Sequence, residues 1–249
     1  ASSSRRASVE TPTQRASAAA VNHSLESGSM SVIKLNSYVL IIRGSDRFKF
    51  IDGLSTNKVE GDCCTVFTTT NAKVIDMVDV IEMGDFLALV GHEPFKNNVL
   101  EHMHKRVLGQ DIQIGDATQN NSVFLSTTDI DVEDSVTKRN TWRGWILVAP
   151  NSEKIDETMN LHEFNEYRVM NMIPHQGYEI TPDNHPLACG LGGLVHEAKG
   201  CYIGQEILAR MRSRGRQGKE LVRLQNPVEN ATTEGKTHSL AIVRTNISR

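Results

Sequence analysis

Three β-rich runs follow one another with almost nothing between them. Residues 65–70 and 74–82 flank only Asn71-Ala72-Lys73, and Met83-Gly84-Asp85 alone leads from the second run into residues 86–90. Connections this short are hairpin turns, so the strands they join run antiparallel. Further apolar or β-rich runs at 38–42, 110–114, 123–126, 145–148, 220–224 and 239–244 read as strands. Helical patterns are scattered among them. Ser45 can cap a helix carrying Phe48, Ile51 and Leu54 on one face. Pro94 opens a second, with Val99, Met103 and Val107 spaced by four and Gly109 as its stop. Residues 157–172 give a third, with Leu161, Phe164 and Arg168 on one side, ending before Pro174. A short fourth starts near Cys201. Regular βαβ alternation and internal repeats are both absent from the pattern, which places the chain in the α+β class.

Composition bounds the function. The net charge of −3, from 27 basic and 30 acidic residues, excludes a globally basic nucleic-acid binder. Aromatics at 5% make a poor platform for stacking single strands. No apolar run approaches the ~20 residues of a membrane span, so no membrane partner is expected. Cys63, Cys64, Cys189 and Cys201 form no C-x-x-C pair, which argues against zinc ribbons and points to a reducing, cytoplasmic setting. Residues 1–30 hold eight Ser and six Ala and few large apolar side chains, so a disordered leader or tag is expected there.

The run most charged with chemistry is Lys199-Gly200-Cys201-Tyr202-Ile203-Gly204-Gln205-Glu206. It puts a cysteine between two glycines, near a helix start. Helix N–H groups and Lys199 would favour a thiolate at Cys201. The alternative is a small buried hydrophobe, the common fate of a free cysteine. Residues 199–223 carry seven cations, Lys199, Arg210, Arg212, Arg214, Arg216, Lys219 and Arg223, against Glu206 and Glu220. They form either a polyanion site or a solvated surface. Alternate spacing would line up the arginines along a strand but scatter them around a helix.

This run resembles the K-G-C-Y-x-G-Q-E signature of the YgfZ group within the GcvT (aminomethyltransferase) superfamily. Other stretches resemble that family too: Gly44 to Asn57, the hairpin from Thr69 to Val80, Tyr167-Arg168 with Ile173-Pro174 and Gly177, Pro186-Leu187, and Leu208-Ala209-Arg210 with Arg214-Gly215. The resemblance implies a multi-part fold around a central channel that binds tetrahydrofolate or a related pterin, with a GcvT-like region at 31–216 and an abbreviated C-terminal β-barrel at 217–249. It implies support of iron–sulfur cluster assembly or repair, with iron–sulfur client enzymes or assembly proteins as partners. Cys201 would be the working residue and Asp76 the polar group of the hairpin. Lys199, Gly200, Tyr202, Gln205, Glu206, Arg168 and Arg210 would bind the cofactor. A monomer is expected. A folate-dependent aminomethyl transferase using Asp76 and a non-catalytic folate-binding scaffold are the alternative readings.

The chain departs from that pattern at three carboxylates. Met77 follows Asp76 where glycine-cleavage enzymes carry a second aspartate, and the next acid is Asp79. Met170 and Ala188 replace two more, so another acceptor such as Glu179 or Asp183 would have to serve a pterin. Asp129, Asp131, Glu133 and Asp134 lack the glycine and terminal glutamate of a calcium loop and read as a solvated loop. His175, His185 and His196 fit no metal spacing, so no metal is expected. His102 and His104 lie two apart on different faces of a helix and are expected at the surface. Trp142 and Trp145 are expected in the core, with a ligand channel as the alternative for Trp142. Tyr202 could stack on a pterin or simply pack. Cys189 could resolve an oxidised Cys201.

Overall fold

A computed structural model describes residues 31–245, and the expected leader over 1–30 lies outside the described residues. The architecture is built around one strand buried on both faces. On β2 (Ser37–Arg43), Tyr38, Leu40 and Ile42 point to one side and Val39 and Ile41 to the other. This strand lies between β5 (Phe86–His92) and β6 (Gln113–Asp116). β5 continues to β4 (Val74–Glu82) and β3 (Cys63–Thr68), completing a five-stranded sheet of order β3-β4-β5-β2-β6. Every pairing is antiparallel, as the short turns require. In the β3–β4 turn Ala72 adopts a left-handed φ of 61° and is fully buried.

Two helices cover the first face. α1 (Arg47–Leu54) contributes Phe50, Ile51 and Leu54, and α2 (Lys96–His104) contributes Val99 and Met103, all packed against Tyr38, Leu40, Leu87 and Leu89. Each such side chain contributes roughly 1.5–3 kcal/mol by leaving water. Ser45 does not cap α1. Its N–H and hydroxyl both bond Asp111 Oδ2, at 2.8 and 2.9 Å, and the N-cap position falls to Asp46. α2 is shorter than its periodicity suggests and ends before Val107. His102, expected at the surface, is buried, with its ring edge-on to Phe67 at 5.8 Å between centroids. His104 is exposed. The i, i+2 spacing did separate the two faces, but α2 packs the His102 side inward.

The second face meets a four-stranded antiparallel sheet, of order β1-β7-β9-β8. Its strands are β1 (Val32–Leu35), β7 (Asn121–Ser126), β8 (Thr137–Thr141) and β9 (Gly144–Pro150). Ile33, Leu35, Val123, Leu125, Ile146 and Val148 face the five-stranded sheet across a shared core. Trp145 is only partly buried, beneath Lys138 Nζ at 5.3 Å from its ring. α3 (Leu161–Asn171) starts four residues later than expected, because Thr158 and Met159 donate to the Val32 carbonyl and extend along β1. Asn160 and Glu163 then form a capping box. α3 packs Val169 and Met172 against Leu221 and Leu240 of a third sheet, β10 (Lys219–Gln225), β12 (His238–Arg244) and β11 (Thr233–Glu234) in that order. α4 (Gln205–Ser213) carries Arg210 and Arg212 on a helix, so the arginines scatter around it. Among the described residues no helix is long and apolar enough to cross a membrane.

Candidate functional site

The β8–β9 turn aims two side chains at the five-stranded sheet. Gly144 closes this turn at φ +136°, and a Cβ there would lie 2.8 Å from the Ser126 carbonyl oxygen. A side chain at that position is thus strained and obstructed, and the tight turn presents Trp142 and Arg143 inward. Opposite them, β4 alternates. Asp76, Val78 and Val80 share its helix-covered face, while Met77, Asp79 and Ile81 share the face toward Arg143. The acid missing at Met77 is thus offset by Asp79, two residues on and on the same side. Strand period two was the signal that could have found it.

Between β3–β4 and β8–β9 lies a cavity of about 200 Å³, lined by Asp62, Cys63, Cys64, Asp79, Val80, Ile81, Arg139, Asn140, Thr141, Trp142 and Ile146. A neighbouring hollow of about 10 Å³ shares Asp79 and Ile146 with it and is also bounded by Gly91, His92, Arg143 and Gln176. Arg143 donates to Asp79 Oδ2 in an ion pair only 8% and 4% exposed. Arg143 Nε and Gln176 Oε1, at the smaller hollow, have no hydrogen-bond partner, while in the larger cavity the Cys64 thiol is in hydrogen-bonding reach of both Trp142 and Asp79. Leaving a buried polar group unpaired costs about 1–3 kcal/mol, so the two at the smaller hollow mark a place where a polar partner fits. Burial raises the Asp79 carboxyl against the pull of Arg143. It lifts Cys63 to about 12 and Cys64 well above the ordinary thiol range, so both stay protonated.

Asp76 lies on the other face of β4, fully buried. Its Oδ2 accepts from the Tyr38 hydroxyl at 2.5 Å and the His92 N–H at 3.0 Å. Its Oδ1 accepts from the Met77 N–H at 2.8 Å and Gln176 Nε2 at 3.2 Å. Burial nevertheless carries its pKa to about 7. The carboxylate joins β4, β2, β5 and the 173–180 stretch in one knot. His175 sits at the edge of this region, T-shaped to His92 at 4.7 Å and lowered to about 2 by burial.

The Lys199–Glu206 run folds into an anchored loop. Lys199 Nζ donates to the carbonyls of Asp52, Ser55 and Asn57 at 2.6, 2.9 and 2.7 Å, capping the C-terminal end of α1, and its side chain is 1% exposed. Burial lowers its pKa. Gly204 takes φ +84° where a Cβ would lie 2.7 Å from Thr68 Oγ1, and Thr68 in turn donates to the Ile203 carbonyl. Tyr202 packs with Ala72, Leu187 and Leu208 rather than opening to a cavity. Gln205 is turned back onto Tyr202 N and the Lys199 carbonyl, and Glu206 pairs with Arg210 at the surface. What this loop displays is Cys201, which is exposed, with Gly200 beside it facing open space. The burial reading of Cys201 is thus replaced by display. α4 itself begins four residues later, at Gln205.

Arg168 is fully buried and binds Glu179 Oε1 at 2.7 Å, Thr233 Oγ1 at 2.8 Å, Asn165 Oδ1 at 3.0 Å and the Ile173 carbonyl at 3.1 Å. Glu179 also takes the Thr233 hydroxyl and the His175 N–H. This network ties α3 to the third sheet and leaves Glu179 engaged within the protein, while Asp183 is exposed. Of the residues singled out in the sequence, none of Lys199, Gly200, Cys201, Tyr202, Gln205, Glu206, Arg168, Arg210 or Asp76 lines the 200 Å³ cavity. The cavity was missed because its charged residues come from β4, from Asp62 just before β3 and from β8, a strand with no apolar pattern. Cys189 is fully buried, and burial raises its thiol pKa well above the ordinary range. Among the described residues no group of three or more His, Cys, Asp or Glu is placed to hold a metal ion.

An antiparallel five-stranded sheet sandwiched between helices and a second sheet, with a polar hollow at the sheet junction, defines a class of fold with solved members. The chain matches the glycine cleavage system aminomethyltransferase T from Bartonella henselae with a TM-score of 0.69, at 12% identity, over 87% of this chain and 79% of that one. At that identity the likeness is one of fold. No family model and no curated protein sequence matches the chain.

Proposed function

We propose that the protein binds a reduced folate by its pterin ring in the cavity between β3–β4 and β8–β9, and that it supports iron–sulfur proteins through the displayed Cys201. The observation that supports the first part is a cavity of about 200 Å³ whose wall offers the Asp79 carboxylate and the Trp142 indole, beside a hollow where Arg143 Nε and Gln176 Oε1 stand unpartnered. Asp79 would accept from the N–H edge of the ring, and Trp142 Nε1, released from Cys64, would donate to its acceptor edge. The ring supplies a one-carbon carrier when bound. The chain's own residues hold and orient it. The second part is supported by the anchored loop that leaves the Cys201 thiol in solvent. An aminomethyl-transferase reading has the fold neighbour in its favour and would use Asp76, whose two oxygens already accept four hydrogen bonds.

Tetrahydrofolate titrated into the protein should quench or shift Trp fluorescence saturably, with Trp142→Phe removing most of the signal. Asp79→Asn should weaken binding about tenfold or more, the worth of a charge-assisted bond in a buried site. Absence of saturable binding below millimolar ligand would refute the folate reading. For Cys201, a Cys201→Ser variant that restores an iron–sulfur enzyme in a deficient strain as well as wild type does would remove its proposed role.

A further inference from the structure

The smaller hollow, of about 10 Å³, is near the ~10–15 Å³ that one water molecule needs and far below the ~300–1,000 Å³ of a pocket for an organic ligand. The two buried polar atoms left without a partner at it, Arg143 Nε and Gln176 Oε1, are complementary. A guanidinium only donates, and it keeps its proton at every working pH. The Gln176 amide is oriented by its other end. Nε2 donates to Asp76 Oδ1 at 3.2 Å and to the Met77 carbonyl at 3.1 Å, and a carbonyl only accepts. Oε1 is therefore left as the acceptor at the hollow. An occupant must accept from Arg143 and donate to Gln176. A cation has nothing to accept with, and a monatomic anion has nothing to donate. Water does both, and the Asp79 carboxylate, which borders the same hollow, can take its second proton.

We infer that this hollow is the site of one structural water, and that Gln176 with this water joins the Asp79–Arg143 pair to the Asp76 acid on the other face of β4. The β4–β5 ladder is what separates the two faces. It runs from Asp79 opposite Val90 to Glu82 opposite Leu87, so Asp76 lies beyond its end. Gln176, from the stretch after α3, borders the hollow with its oxygen and reaches Asp76 with its nitrogen. Hydrogen bonds in such a chain polarise one another. A water that accepts from Arg143 and donates to Oε1 makes Nε2 a stronger donor to Asp76. Gln176 is then a positioning residue, through which the Asp79–Arg143 pair sets how readily Asp76 ionises. Asp76 is poised to respond, since its carboxyl titrates at about 7. The other groups facing it are the Tyr38 hydroxyl, with Glu93 acting on Tyr38, and the His92 N–H. His175 stacks edge-on to His92, and on β3 Phe67 stands opposite Asp76 with His102 of α2 against its ring. Cys64 and Arg143 face Asp79. None of this depends on what the larger cavity binds.

Two measurements on the full chain test the inference. A crystal structure at about 1.5 Å resolution should show a water within about 2.6–3.2 Å of both Arg143 Nε and Gln176 Oε1. No peak there, or a direct bond between the two side chains, overturns the whole inference, and this test requires no variant to fold. Carbon-13 NMR of the aspartate carboxyls then follows the Asp76 titration. Gln176→Met, similar in length but without either polar atom, should raise the Asp76 midpoint by about one unit, the worth of one hydrogen bond to a charged group. Asp79→Asn strips Arg143 of its counter-charge and should lower the Asp76 midpoint. In a Gln176→Met background the same substitution should move it less than half as far. A purely structural role for Gln176 would leave that shift unchanged. Equal shifts in the two backgrounds therefore mean that the acids sense each other through space alone, and the linking role of Gln176 falls.

Discussion

Asp76→Asn tests whether the buried knot on β4 is electrostatically costly. The wild-type carboxyl moves from an ordinary 3.8 to about 7 on folding, because burial outweighs four hydrogen bonds to its charged form. A raised acid holds its proton in the folded state. Between about pH 4 and 7 the folded chain therefore binds more protons than the unfolded one, and its stability falls as pH rises, reaching the full penalty above pH 7. At 1.36 kcal/mol per unit the difference amounts to about 4 kcal/mol, a large share of the 5–15 kcal/mol typical of a folded domain. Asparagine cannot ionise. Its packing and hydrogen-bond changes, including a mismatch with the His92 N–H, are independent of pH. Urea unfolding of both proteins from pH 4.5 to 8 should give a stability difference, variant minus wild type, that climbs by about 3 kcal/mol toward alkaline pH, about 1 kcal/mol of the penalty being already present at pH 4.5. His92 and His175, both lowered by burial, remain in the two proteins and cancel to first order. A difference that stays flat across the range, or climbs toward acid, would refute the reasoning.

Three other perturbations follow from the same contacts. Maleimide labelling read by peptide mass spectrometry should modify Cys201 first and leave Cys64 and Cys189, 8% and 0% exposed, unreacted until the chain unfolds. Gly204→Ala should lower stability by about 2 kcal/mol or more in a thermal or urea melt, since a left-handed backbone and contact with Thr68 oppose any side chain. Arg168→Met should cost about 3–5 kcal/mol by stranding Glu179, and Arg168→Met with Glu179→Leu should recover much of it; no recovery would mean that the polar network, rather than the uncompensated charge, carries the loss.

The sequence made the antiparallel hairpins legible because connections of three residues leave no room for anything else. It made the Cys201 loop legible because two glycines around a cysteine are rare without cause. It did not make β1 or β8 legible. β1 is four residues long, and β8 reads Thr-Lys-Arg-Asn-Thr, with no apolar face to reveal a strand. β8 forms because it lies along β9, in register from Thr137 opposite Val148 to Thr141 opposite Gly144. That is tertiary information. The start of α3 was displaced for the same reason: residues 158–159 have partners on β1 that local propensity does not know about. Lys199 shows the limit for sites. Its charge is visible in the sequence, but its direction toward the end of α1, which makes it a brace for the Cys201 loop, depends on where that helix ends.

The two chemically distinct places on this fold share a wall. Cys63 and Cys64 of β3 line the cavity, and at the far end of the same strand Thr68 holds the Ile203 carbonyl. Lys199 lies close enough to Cys63 for each to shift the other's titration, while its ammonium pins the loop that carries Cys201. β3 pairs with β4 inside the sheet, and its other side is bridged at Phe67 by Ser55, whose carbonyl Lys199 also holds. One strand thus meets the cavity through Cys63 and Cys64 and the Cys201 loop through Thr68, while Cys201 itself lies off the cavity wall.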